Sequence, residues 1–248
     1  IYVADSANTA TTLATGTVTR IGRVGKNLND EPVRTVLESA AAAGFKTGII
    51  STASITDATP AAFAAHVGVR ACESPITIRG GKKYGVTFPG CPRDLVENGG
   101  GGSIAEQLAM ANVDVMLGGG MEHFAARFEN KPTALDKAAT AGATVLTKSD
   151  QLRERHDGRV IGLFSEDTMP VKWQGSDGRS AEEIERSWLN LVHDMIGSIT
   201  PPDTISCVDN PLFDPMPSLE TMTRFAIDHL SRDNPQGFFL TIESASID

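Results

Sequence analysis

Apolar and polar residues alternate along this chain with two periods, and the periods take turns. Val33, Val36, Leu37 and Ala40 recur at helical spacing and predict a helix over 32–43, with Pro32 at a favoured first-turn position and Gly44 ending it. The β-rich run 46–51, with Ile49 and Ile50, predicts the next strand. Helices are expected over 61–69, 103–111 and 217–231, the last with Leu219, Met222, Phe225, Ala226 and Leu230 on one face. Further strands are expected at 113–117, where a buried run ends in three glycines, and at 145–146, 160–164 and 238–242. Residues 2–4 read as the end of another buried strand, and Ser6 falls where a helix begins. Strand and helix in alternation imply a largely parallel sheet covered on both faces, with ligands outside the carboxyl ends of its strands. Ser6, Asp57 and Glu243 all sit at or just past such ends. Between 162 and 214 the pattern weakens, and residues 169–173 and 200–218 read as surface excursions.

Composition changes this picture little. With 248 residues, 40% hydrophobic and 21% charged, the chain can bury one large core or two small ones. A net charge of −9 argues against a nucleic-acid partner, which is bound with excess Lys and Arg. It leaves a small phosphate substrate open, because a site can be locally positive in an acidic protein. No apolar run approaches the length of a membrane span. No signal peptide is visible, and a chain that opens within a strand says nothing about export.

The first candidate for chemistry is Ser6, whose hydroxyl meets unpaired N–H groups at the positive end of a helix built from Ala, Thr and Gly. The alternative is that Asp5 or Ser6 caps the helix. An unassisted serine is a poor nucleophile and needs a base or a metal. No histidine lies near Ser6, and His66, among alanines, reads as a packed core residue, so metal activation fits better than a triad. Glu243 follows apolar strand residues, where a buried carboxylate would be costly without a cation. Two lookalikes carry no chemistry. The glycine run 99–102 lacks the Gly-Lys-Ser/Thr ending of a phosphate loop and feeds a capping box at Ser103 and Glu106. Gly118-Gly119-Gly120 lacks the spacing of a dinucleotide fingerprint.

Four segments, taken in order, change the weight of each residue: Val3-Ala4-Asp5-Ser6-Ala7-Asn8-Thr9-Ala10-Thr11-Thr12, then 51–70 with Asp57-Ala58-Thr59-Pro60 and Arg70, then 113–120, then 237–248 with Glu243 and Asp248. Together the segments resemble alkaline phosphatase of the bacterial periplasmic type, and the likeness runs along essentially the whole chain. The resemblance implies a three-layer α/β/α sandwich around a central, mostly parallel sheet, with residues 1–248 a single partial alkaline phosphatase domain truncated at both ends. It implies hydrolysis of small phosphate monoesters through a phosphoserine intermediate, two zinc ions and one magnesium ion. Ser6 is then the nucleophile and a zinc ligand, and Arg70 the phosphate clamp. Thr59 and Glu243 are magnesium ligands, Asp57 orients magnesium-bound water, and Asp248 is a zinc ligand.

The resemblance also implies a homodimer for the full-length protein, a periplasmic or secreted location, and a disulfide between Cys72 and Cys91. Such a bridge would tie down a loop rich in Gly, Pro and Lys, and Cys207 would lack a partner within the chain; three reduced thiols are the alternative. Asn8 departs from the family pattern, which has a very small residue there. The remaining metal ligands would lie outside 1–248, so this stretch alone is expected to be close to inactive and to bind zinc poorly. Rival readings are a phosphodiesterase, a phosphonate hydrolase, a sulfatase (although no Cys-x-Pro-x-Arg motif stands at Ser6) or a non-catalytic phosphate-binding protein.

Overall fold

Strand β1 (Lys46–Ser54) is buried on both faces, Thr47, Ser51 and Ser54 included, because it lies in the interior of a parallel sheet. A computed structural model of the protein describes residues 3–83, 86–176 and 206–246, together with Leu189, Val192, Met195 and Ile196. One side of β1 pairs with β4 (Val115–Gly119), and β6 (Val160–Leu163) and then β5 (Thr144–Leu146) follow outward. The other side pairs with β9 (Phe238–Glu243). All four pairings of this five-stranded sheet are parallel, in the order β5-β6-β4-β1-β9.

Successive strand residues point to opposite faces, and the core divides accordingly. Ile49, Met116 and Ile161 join one apolar cluster, with Ala7, Ala10 and Ala14 of α1 (Ser6–Thr15) and Ala105 and Leu108 of α4 (Ile104–Met110). Their neighbours Ile50, Val115, Leu117 and Val160 join the other, with Met222, Phe225, Ala226 and Leu230 of α7 (Leu219–Ser231). The first face also carries α2 (Val36–Ala42), α3 (Ala58–Ala61) and α6 (Ala134–Thr140), which contribute Leu37, Ala58, Ala61, Ala134 and Ala138. A short α5 (Met121–Ala125) follows β4. The three layers expected from the alternation are therefore present. Among the described residues no helix is long and apolar enough to cross a membrane.

The chain falls into two compact units. The first runs to Met169, resumes at Pro215–Ser246 and holds everything above, together with a hairpin of β2 (Gly81–Lys83) and β3 (Val86–Phe88). The second is formed from Pro170–Asp214, where β7 (Trp173–Gly175) pairs antiparallel with β8 (Cys207–Asp209). The stretch read as surface excursions thus has a strand pair of its own. Cys207 is exposed and unbridged there.

Local chemistry overrode periodicity in three places. The helix expected from Pro32 starts only at Val36, because Thr35 and Glu38 close a capping box: Glu38 N–H donates to the Thr35 hydroxyl (3.1 Å), and Thr35 N–H donates to the Glu38 carboxylate (2.8 Å). The helix expected over 61–69 stops at Ala61. Beyond it Val67 exchanges backbone hydrogen bonds with Val24 at 3.0 and 3.1 Å, which draws the chain out of helical geometry. Val3 is not on the sheet with Ile49 and Phe239; it is 76% exposed at a bend. The places beside β1 are taken by β4 and β9, and the helix cap at Asp5 fixes the backbone two residues on.

His66, read as a packed core residue, is instead partly buried outside the apolar clusters and held by polar partners. Its ring nitrogens lie 2.6 Å from the Gly25 carbonyl oxygen and 2.8 Å from the Glu38 carboxylate. Burial would push the imidazole down, but the Glu38 carboxylate and the Gly25 carbonyl outweigh it and hold His66 above its usual range, against opposition from Lys26. For Glu38, burial pushes up, while His66 and Thr35 hold the carboxyl below its usual range. A raised histidine contributes stability that is fully present below its unfolded value, about 6.5, and is lost as pH rises through its folded value. A lowered carboxyl contributes stability present above about 4.3 and lost as pH falls through its folded value. The pair is therefore strongest between about pH 4.3 and 6.5. We expect the melting temperature of the wild-type protein, measured against that of His66→Gln, to lose its advantage as pH is raised beyond this window. Parallel profiles for the two proteins would show that the pair contributes nothing.

Candidate active site

Asp5 takes the capping role at the start of α1 and leaves the Ser6 hydroxyl out of it. The Asp5 carboxylate accepts from Asn8 N–H at 3.0 Å, and the Asn8 side-chain oxygen accepts from Asp5 N–H at 3.1 Å. The second Asp5 oxygen accepts from Gly22 N–H at 3.0 Å, so this one side chain fixes both the helix and the loop beside it. Asn8, which departs from the family pattern, has a local reason: it closes the capping box. Ala7, Ala10, Thr11 and Ala14 turn the small-residue face of α1 into the core, and Ser6 is exposed at its first position.

Arg70 reaches this point from far along the chain. Its Nη1 donates to Ser6 Oγ at 2.6 Å, and its Nη2 donates to Asp57 Oδ1, also at 2.6 Å. An Asp5 carboxylate oxygen lies 3.8 Å from Nη1. Asp57 occupies the N-cap position of α3, yet its side chain makes no capping bond among the described residues; it holds the guanidinium instead. Ser6, Arg70 and Asp57 are thus brought into direct contact.

Thr59 lies two residues beyond Asp57, half-buried in α3. Glu243 ends β9 opposite Ser51, whose hydroxyl donates to its Oε2 at 2.5 Å. The burial expected for Glu243 is not found. Among the described residues its strand has β1 on one side only, and the carboxylate is half-buried and already hydrogen-bonded. Asp248 lies outside the described residues. Thr59 and Glu243 offer a hydroxyl and a carboxylate, hard oxygen donors of the kind magnesium takes. Of the zinc set implied by the resemblance, only Ser6 is among the described residues, and one hydroxyl does not make a zinc site. The charges fit a need for cations: one guanidinium stands beside two carboxylates, a balance that alone would repel a phosphate dianion.

The segment around Arg70 is fastened on several sides. Arg70 N–H donates to the Gly22 carbonyl at 2.6 Å. Cys72 and Cys91 form a disulfide with their Cα atoms 6.3 Å apart. Ile104 and Ala105 N–H, orphan groups at the start of α4, donate to the carbonyls of Cys72 and Glu73 at 3.0 and 2.9 Å. The buried Lys26–Asp94 pair, 2.5 Å apart, adds a further tie, since Asp94 also accepts from Gly68 N–H at 2.7 Å. Sequence reasoning missed this pair and Ser51, because no local pattern links residues so far apart. The capping box at Ser103 and Glu106 is present as expected.

A sequence model described as alkaline phosphatase matches residues 2–248. The chain is 37% identical to the alkaline phosphatase of Escherichia coli (strain K12), covering 100% of this chain and 49% of that protein. It is 38% identical to the streptomycin-6-phosphate phosphatase of Streptomyces griseus, covering 100% of this chain and 52% of that one. Among solved structures, a cold-active alkaline phosphatase from the psychrophile Shewanella sp. superposes with a TM-score of 0.61 at 26% identity, covering 98% of this chain and 42% of that chain. An alkaline phosphatase from the Antarctic bacterium TAB5 shares the fold with a TM-score of 0.62 at 22% identity, covering 98% of this chain and 51% of that chain. This chain therefore spans about half the length of the relatives it matches.

The disulfide closes a loop of moderate length next to Arg70. Replacing Cys72 and Cys91 together by Ser is expected to destabilise the complete protein by about 3 kcal/mol in denaturant unfolding. An unchanged unfolding midpoint would show that the ties to α4 and Gly22 suffice.

Proposed function

The chain belongs to the alkaline phosphatase family, and from that premise we propose that the complete protein hydrolyses phosphate monoesters and releases inorganic phosphate. The observation that carries the reading is the 2.6 Å contact between Arg70 Nη1 and Ser6 Oγ. A nucleophilic hydroxyl and a planar donor of two parallel hydrogen bonds stand side by side, as attack on a phosphoryl group requires.

In the proposed sequence, Ser6 Oγ attacks phosphorus in line with the ester oxygen, the phosphorus–ester oxygen bond breaks, and the alcohol leaves with a proton. The phosphoryl group is then on Ser6. Water attacks the same phosphorus from the vacated side, the bond to Ser6 breaks, and phosphate departs. Arg70 turns its donors to two non-bridging oxygens throughout, and Asp57 keeps the guanidinium from swinging away. The positive end of the α1 dipole favours the same negative charge. Thr59 and Glu243 would hold magnesium, with Asp57 orienting its water, and Ser6 and Asp248 would face zinc. Bound there, such ions lower the proton affinity of the serine and neutralise charge on the transferring group.

The Cys72–Cys91 bridge supports an oxidising location, periplasmic or secreted. A homodimer of the complete protein and small phosphate monoesters as its substrates follow from the family reading.

Ser6→Ala in the complete protein is expected to lower turnover of a chromogenic phosphate ester by more than about a thousandfold. Acid quenching of the wild type with labelled substrate should leave label on the peptide that contains Ser6. Normal turnover by Ser6→Ala would overturn the assignment. For Arg70→Ala, loss of two charge-assisted hydrogen bonds is expected to weaken inhibition by inorganic phosphate about 10–100-fold while some activity remains. Unaltered phosphate inhibition would remove Arg70 from the clamp.

A further inference from the structure

Three side chains that the proposed reaction does not use converge from separate parts of the chain. Glu73 follows Arg70 in the bridged loop, His123 lies in α5 past the end of β4, and Asp167 lies past the end of β6. One ligand atom from each falls within 4.8 Å of the other two. His123 Nε2 is 2.9 Å from Glu73 Oε2 and 3.7 Å from Asp167 Oδ1, with a Glu122 oxygen at 3.5 Å.

From this geometry we propose a further metal site in which Glu73, His123 and Asp167 bind a divalent transition cation of the zinc type. Ligands at about 2.0–2.1 Å from a tetrahedral ion stand about 3.4 Å from one another, and the observed separations straddle that value. Independent support comes from the imidazole itself. His123 is only 8% exposed, and its Nε2 is shielded from solvent and makes no hydrogen bond among the described residues, although oxygens of three carboxylates lie within 3.7 Å of it. An imidazole nitrogen set among carboxylate oxygens suits zinc and its neighbours, whereas magnesium and calcium take oxygen ligands.

The surroundings are built to hold this arrangement. The Thr56 hydroxyl donates to Glu73 Oε2 at 2.7 Å and so orients that carboxylate, as groups around a metal ligand commonly do. The loop after β6 is laced to the start of α5: Gly120, Met121 and Glu122 N–H donate to the carbonyls of Asp167, Ser165 and Glu166 at 3.1, 3.0 and 2.9 Å. Gly119 permits this approach, since a Cβ there would fall 1.9 Å from the Asp167 carbonyl oxygen. The Asp167 side chain, 57% exposed, leaves the ion a path from solvent. A cation here would pin the loop after Arg70 to the ends of β4 and β6, and through Thr56 to the turn that presents Asp57.

The test is metal content and affinity, not turnover. The complete protein, stripped with chelator and dialysed against buffered zinc, is analysed for zinc per chain, and zinc affinity is followed by competition with a chromophoric chelator. His123→Ala is expected to hold one equivalent fewer than the wild type, and Asp167→Asn to bind that equivalent at least about tenfold more weakly. Zinc should also raise the melting temperature of the wild type more than that of either variant. If His123→Ala fails to fold, Asp167→Asn, changed at an exposed side chain, decides alone. Zinc content and affinity unchanged in the folded variants would overturn the site and leave an imidazole among carboxylates as the whole of the cluster. Because Ser6 and Arg70 are intact in both variants, this result is independent of whether the proposed reaction is right.

Discussion

Everything at the candidate site hangs on one guanidinium being held in one place. A free arginine side chain has about 2 kcal/mol of rotamer entropy to lose, so a phosphate clamp works best if that loss is met before substrate arrives. Here Asp57 meets it with a 2.6 Å hydrogen bond, and the backbone of Arg70 is tied to Gly22. Gly22 in turn is tied to Asp5, the residue that starts α1. Serine, arginine and their supports therefore form a closed circuit of hydrogen bonds. Displacing any member shifts the rest.

That circuit is negative on balance, and this chain is acidic at −9. For the proposed reaction, anion binding must then come from local placement and not from bulk charge. The long-range field of this chain repels phosphate esters, and attraction is confined to the few ångströms around Arg70, the start of α1 and whatever cations the oxygen donors recruit. The buried Lys26–Asp94 pair works in the opposite direction. It is shut away from solvent and serves to hold Gly68, and with it the approach to Arg70.

Much of the scaffold was legible in the sequence because it is periodic. The apolar stripe of α7, the doubly buried β1 and the capping box of α4 each follow from residues within a few positions of one another. What escaped was set by partners far away. Val24 turns a helical-looking stretch at Val67 into extended chain, and the box at Thr35 and Glu38 displaces a start that Pro32 alone would suggest. The site divides in the same way. Ser6, Asp57 and Arg70 stand out by the order of their motifs, but Ser6 meets Arg70 across 64 positions, and nothing local foretells that contact. Glu243 looked buried because its strand is apolar; only the sheet order reveals that the strand has a neighbour on one side among the described residues. Glu73, His123 and Asp167 come from three separate turns, with no shared spacing to announce them.

The pairing of β9 with β1 sets Glu243 opposite Ser51 through a run of matched residues that begins at Lys46 and Phe238. Parallel strands alternate faces at every residue, so the ladder works as an indexing device. A slip of one position would bring Ile242 to that place and turn the carboxylate to the other side of the sheet, with the backbone ladder still largely intact. Length in the tight turn around Gly237 is therefore a chemical variable as much as a structural one. A lineage that gained or lost one residue there could keep its fold and lose the placement of this carboxylate, a failure that stability measurements alone would not detect.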